Sequence, residues 1–190
     1  MNRRLLILIS MVRGGLGFAA VSTAAFAVWV FGGGWFHSHG GELAMYGGCC
    51  AVFLLLSGLL LHPLLEGQGR IWRFYRIFIP AFLAYAIAWC GGWFWWGAGV
   101  GEWIGSLAGT LAFTVVMAAM LKGWRRWWLS ALVMFVGHSA GYFGGAEVCN
   151  QSLHSKGSEL VWGLLYGLGF GAGIGYAFAL MQRPCEPEKS

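Results

Sequence analysis

Imidazole, carboxylate and thiol groups collect at one kind of place in this chain: the junctions between long apolar stretches. His37 and His39 stand in the segment Trp35-Phe36-His37-Ser38-His39-Gly40-Gly41-Glu42, and Glu147, Cys149 and His154 stand in a second polar segment that runs to Glu159. Neutral imidazole and ionised carboxylate together form the donor set of zinc and similar divalent ions. His37, His39, Glu147, His154 and Glu159 are therefore candidate ligands for a divalent metal bridging the first and last of these segments. The His-x-His spacing is a weak signal, and the same residues equally suit a solvated polar rim. Glu42, Glu102, Glu147 and Glu159 face a single cation there, Lys156. An acidic mouth of that kind attracts cations. Cys149 would form a disulfide in an oxidising compartment, or pack as a small apolar thiol.

Two more groups lie inside the apolar stretches. His138 falls near the middle of one. An ionisable side chain at membrane depth is costly and is a functional candidate by default; the alternative is a neutral imidazole bonded to a neighbouring helix. Ser139 follows it, and Gly137-His138-Ser139-Ala140-Gly141 repeats the G-x-S-x-G string of serine hydrolases. That string works where serine sits on a strained strand-to-helix turn. Here no strand precedes it, and His138, next in sequence, points about 100° away on a helix. The last apolar stretch offers no histidine as base, so a hydrolase is the weakest of these readings. A helical serine is instead expected to bond the carbonyl four residues back. His62 and Arg13 lie close enough to span ends to reach the interface. Every Glu sits at or beyond a span end, so the spans carry no carboxylate relay of the kind found in many proton-coupled pumps.

The elements that must position these groups follow from composition. Of the 190 residues, 58% are hydrophobic and only 10% charged, with a mean hydropathy of +0.67. Soluble domains are nearer 45–50% apolar and about 25% charged, so a water-soluble domain is excluded. A helix needs roughly 20 apolar residues to cross the hydrocarbon core. Six stretches qualify, at about 16–31, 45–65, 74–96, 100–121, 127–148 and 159–181. The expected fold is all-α: a polytopic integral membrane protein in which residues 1–190 form a single transmembrane domain of six helices.

Orientation can be read from the cations. With the N-terminus in the cytoplasm, eleven of the twelve Lys and Arg residues fall on inner segments and only Lys156 falls outside. All the loops are short, so the positive-inside rule applies and places both termini in the cytoplasm of an inner or plasma membrane. The net charge of +5 is thereby a topology signal; it is no footprint for nucleic acid. Tryptophan agrees, since all twelve residues of that type fall near one interface or the other. Arg3, Arg4, the apolar run after them and Ala25-Phe26-Ala27 imitate a cleaved secretory signal, but Arg13-Gly14-Gly15 interrupts the run.

Glycine is the most regular feature. Gly101, Gly105 and Gly109 recur every four residues, as do Gly137, Gly141 and Gly145, and Gly163, Gly167, Gly171 and Gly175. Small residues at that spacing form flat stripes where helices approach closely. The expectation is a glycine-packed bundle in which the stripes of the last two spans meet. Gly169 and Gly173 on a second face should give the last span another neighbour. The functional expectation is a small-solute or ion permease or channel subunit in the lipid bilayer. A homo-oligomer or membership of a membrane complex suits so small a bundle. The alternatives are a non-transporting accessory or assembly subunit, and a membrane-embedded enzyme or metal-binding protein using the outer His/Glu/Cys groups.

Overall fold

The computed structural model describes residues 2–182, and every regular element within them is helical. Arg183 and Lys189, which the topology reading counted, lie outside the described residues. Six long helices follow in order: α1 (Arg3–His39), α2 (Gly41–Leu61), α3 (Arg70–Trp96), α4 (Val100–Leu121), α5 (Trp127–Gln151) and α6 (Lys156–Met181). Short 3₁₀ turns at His62–Leu64 and Trp124–Arg126 finish two of the connections. Five of the six helices, all but α5, are long and apolar enough to cross a membrane. α5 has the length, at 25 residues, but carries His138, Ser130, Ser139, Asn150 and Gln151 among its aromatics.

α1 differs from its sequence expectation. It runs unbroken for 37 residues, through Arg13-Gly14-Gly15 and on through His37 to His39. At 1.5 Å per residue it is about 55 Å long, well beyond a bilayer core of about 30 Å. The glycines expected to interrupt it are buried against α6, where close contact replaces the helix propensity they lack. The chain then reverses at Gly40–Gly41, and Gly41 takes φ +66°, a region that costs glycine nothing.

Successive helices are antiparallel neighbours, and the last one returns to the first. α6 packs between α1 and α5, and α3 packs between α2 and α4, so the six helices close into a ring. Register along α1 and α6 runs in opposite senses: Gly14 meets Gly171 and Gly175, Gly167 meets Ala19, and Gly163 meets Phe26. Gly137, Gly141 and Gly145 of α5 meet Gly169, Leu165 and Trp162 of α6 in the same antiparallel manner. The sequence reading had the glycine stripes of the last two spans facing each other. Instead Gly163, Gly167, Gly171 and Gly175 face α1, while Gly169 and Gly173 are the glycines turned to α5. Four-residue spacing drifts only about 40° per step on a helix. Such a stripe fixes one face, and nothing in its spacing says which neighbour that face meets. Gly101, Gly105 and Gly109 of α4 lie against Gly92, Trp89 and Tyr85 of α3.

Inside the ring, phenylalanines fill the space. Phe74, Phe78, Phe113, Phe170 and Phe178 are wholly buried, with Phe78 stacked on Phe74 at 5.1 Å and Phe74 on Phe178 at 5.4 Å. The outside is also apolar: Ile87 is 73% exposed, Leu55 62% and Val136 56%. Two ends can be distinguished. One carries Arg70, Arg73, Arg76, Lys122, Arg125 and Arg126, and is tied together by Gln182. The Gln182 amide donates to the Leu64 carbonyl at 2.7 Å and accepts from the Glu66 amide at 3.1 Å. The opposite end carries His37, Glu102, Glu147, His154 and Lys156.

Candidate functional site

Polar side chains from α3, α4, α5 and α6 form a line in the half of the bundle away from the basic end. It starts at Glu102 in the first turn of α4. One carboxylate oxygen accepts from the Gly99 amide at 3.0 Å, capping the helix, and the other accepts from the Tyr142 hydroxyl at 2.9 Å. Tyr142 stands one turn along α5 from His138, as the i, i+4 spacing requires, and their rings stack at 5.9 Å and 12°. His138 Nε2 lies 2.7 Å from the Tyr85 hydroxyl, which lies 3.0 Å from the Tyr166 hydroxyl.

Small residues make this line possible. A side chain at Gly109 would run into the Tyr85 ring, with a Cβ 2.8 Å from Cδ2. Gly141 brings the α6 backbone beside α5, so that Tyr166 reaches the same spot, and a Cβ there would stand 3.0 Å from Tyr166 Cα. His138 is wholly buried in a box of four rings: Tyr85 at 5.5 Å, Tyr142 at 5.9 Å, Tyr166 at 5.3 Å and Phe170 at 5.2 Å.

The hydrogen positions follow from counting. A neutral imidazole carries one N–H, and each hydroxyl gives one hydrogen and accepts others. If Tyr166 donates to Tyr85 and Tyr85 to Nε2, the imidazole proton sits on Nδ1. If Nε2–H donates to Tyr85, Tyr85 donates to Tyr166 and Nδ1 is bare. The first arrangement satisfies all three groups; in the second, the Tyr166 hydroxyl hydrogen has no recorded acceptor. In each, Nδ1 is left without a partner, as the structure records. Ser139 Oγ, Trp89 Nε1 and Trp162 Nε1 are also buried and unpartnered among the described residues. Both tryptophans flank Tyr142, at 5.6 and 5.4 Å between ring centroids. A buried polar group left unpaired costs about 1–3 kcal/mol. The hydroxyls of Ser22, Thr23, Ser57, Ser106 and Ser130 are unpartnered too, so the four named groups belong to a wider set.

Ser139 therefore does not bond the carbonyl four residues back, and Gly137-His138-Ser139-Ala140-Gly141 lies within unbroken helix. His138 turns to Tyr85 instead. The other sequence candidates are spread over the end of the bundle away from the cations. His37 and His39 are exposed in the last turn of α1, where a loop was expected. His39 stacks on Trp35 at 4.7 Å, and its Nδ1 is 2.9 Å from the Trp35 carbonyl. His37 and Glu42 line a cleft of about 440 Å³ between α1 and α2. Glu147 is on α5, also in helix, and accepts from Gln151 Nε2 at 2.8 Å. Glu159 is in the first turn of α6. His154 takes φ +53° in the α5–α6 turn, with Nδ1 3.4 Å from Cys149 Sγ. Cys149 is a free thiol, fully buried, which also accepts from Ser158 Oγ at 3.7 Å. Among the described residues no three His, Cys or Glu side chains gather closely enough to hold a metal ion.

Tyr85, Tyr142 and Tyr166 were missed as site residues. Their signal was present: tyrosine at mid-span, away from the interfaces where the tryptophans sit, must find a partner for its hydroxyl. The chain matches no protein-family model, and no curated protein or solved structure is significantly similar to it.

Proposed function

We propose that the protein is an integral membrane protein of six spans, with its basic end in the cytoplasm, and that it acts as a small permease or channel subunit for protons or a small polar solute. One observation carries this reading: the line Glu102, Tyr142, His138, Tyr85, Tyr166, which runs inward from one end of the bundle and is bordered by four unpartnered polar atoms. Such groups are expensive at membrane depth and favour a role in moving or recognising something polar. The outward-facing Ile87, Leu55 and Val136 support a lipid surround. α5 is about 37 Å long, enough to span; its mid-helix polar groups Ser130, His138 and Ser139 are buried, and the exposed Glu147, Asn150 and Gln151 stand at its end. Close glycine contact along α1–α6, α5–α6 and α3–α4 supplies the cohesion that hydrophobicity cannot supply in lipid.

The direct test is flux. Proteoliposomes holding the wild-type protein and a pH-sensitive dye should dissipate an imposed pH gradient, or take up a small polar solute, faster than empty liposomes. His138→Phe should abolish the difference. Equal rates with and without protein would remove the transport reading. A second reading, an accessory subunit that transports nothing, is favoured by the phenylalanines that fill the other half of the core. Absent flux together with co-purification of a larger membrane assembly would establish it.

Orientation has its own test. Cys149 is buried and unsuitable for labelling, so exposed positions serve instead. In intact cells an impermeant maleimide should modify Lys156→Cys and spare Arg125→Cys. The reverse pattern would invert the arrangement.

A further inference from the structure

A second polar feature lies at the basic end, apart from the His138 line. A cavity of about 340 Å³ opens between the start of α3 and the end of α4, lined by Glu66, Arg73, Arg76 and Lys122, with Ile77, Met120 and Leu121 as its apolar wall and Gln182 beside them. Three cations face one carboxylate. Arg73 and Arg76 are three residues apart on α3, which puts both on one face. Lys122 caps α4 from a left-handed conformation, φ +54°, which ends the helix and brings the side chain to the rim. Arg73 Nη1 donates to the Glu66 carbonyl at 2.9 Å, so that guanidinium is oriented before any ligand arrives. The Glu66 segment is itself held by Gln182, whose side chain accepts from the Glu66 amide at 3.1 Å and donates to the carbonyls of Leu64 and Phe178. The cationic group is thus mounted on fixed backbone.

We infer that this cavity binds a phosphate anion, carried by an anionic phospholipid. Guanidinium and ammonium groups converging on one space match the oxygens of a phosphate, with arginine offering paired donors. Basic pockets between helices on the cytoplasmic side of a membrane are suited to lipid headgroups. The apolar wall separates the two sources of such an anion. Met120 is 46% exposed and adjoins the cations, so an acyl chain attached to the phosphate has apolar surface to follow along α4. Free phosphate would gain nothing from it. The inference needs the protein to reside in a membrane; it does not need the His138 line to transport anything.

The test uses the full chain purified in mild detergent, with native mass spectrometry reading bound lipid after titration with phosphatidylglycerol or phosphatidylcholine. Phosphatidylglycerol should be retained and phosphatidylcholine much less so. Each cation near an anionic headgroup contributes roughly a fivefold factor, so Arg76→Gln with Lys122→Gln should weaken retention roughly twenty- to thirtyfold. Arg125→Gln with Arg126→Gln removes the same charge from the same end outside the cavity and should leave retention near wild type. All four positions are exposed, so folding is not at issue, and an unchanged melting temperature in lipid-free detergent verifies that. Equal loss in both double variants would overturn the site, because surface charge alone would explain it. Equal retention of the two lipids would overturn it as well. Displacement of phosphatidylglycerol by a few millimolar inorganic phosphate would overturn the lipid as carrier and assign a soluble phosphate compound to the same cations.

Discussion

Gly171→Leu and Gly141→Leu should each destabilise the protein by about 3 kcal/mol, the upper part of the range for overpacking. The size follows from what the new side chain meets. A Cβ at Gly171 meets the Gly14 carbonyl and stands 2.6 Å from Phe18 Cβ, and one at Gly141 meets the Leu165 carbonyl and stands 3.0 Å from Tyr166 Cα. Much of what blocks it is backbone, which no rotamer change can move. The helices must separate, and each separation loses many dispersion contacts along the seam. The two variants act on different seams, α1–α6 and α5–α6, so neither is a repeat of the other. Gly144 provides the internal control. It lies on α5 three residues after Gly141, and a Cβ there meets nothing within 4 Å. Gly144→Ala should be neutral or stabilising by about 0.5–1 kcal/mol, the propensity gain of alanine over glycine. Leu160→Ala should also cost less than either seam variant. Thermal melts in detergent measure all four. Seam variants that melt like wild type would show that these glycines are not packing contacts.

His138→Ala should cost about 3 kcal/mol. It opens a cavity among Tyr85, Tyr142, Tyr166 and Phe170 and removes the partner of the Tyr85 hydroxyl. Tyr85→Phe should cost about 1–3 kcal/mol, because it leaves His138 buried with neither nitrogen paired. His138→Phe should be milder than either, since a ring of similar size fits the aromatic box and brings no polar atom to satisfy. This ordering separates structure from function. If the imidazole only fills the aromatic box, His138→Phe melts near wild type and behaves like it. If it carries protons or recognises a solute, His138→Phe melts near wild type and loses flux. A stability cost for His138→Phe as large as that for His138→Ala would show that the box does not accept a plain ring.

How much of this was legible in the sequence depends on the residue. The helices from residue 41 onward were close to their observed limits, because apolar length and charged turns define them. α1 was misread. Gly14 and Gly15 look like a break when helix propensity is considered alone, and only contact with Gly171 and Gly175 explains why the helix passes through them. His138 stood out because an imidazole in an apolar stretch is rare. Its partners did not, since Tyr85 and Tyr166 come from helices far away in sequence and nothing local links them. The five proposed metal ligands shared one end of the bundle, which the sequence could indicate. It could not indicate the local contacts each makes, such as the turn that draws His154 to Cys149. The pairing of glycine stripes failed for a related reason: periodicity defines a face but does not identify the neighbour it meets.

The closed ring sets a schedule for biogenesis. The seam between α1 and α6 joins the first helix to the last, across more than a hundred intervening residues. Chains are made at roughly 5–20 residues per second, so α1 waits on the order of ten seconds before its partner emerges. During that interval the small-residue face of α1, at Gly14, Gly15 and Ala19, lacks the helix it packs against. A chain stopped before α6 would keep five helices and lose both seams that α6 makes. Such a bundle would have its gap between α1 and α5, and closure of the ring waits on α6.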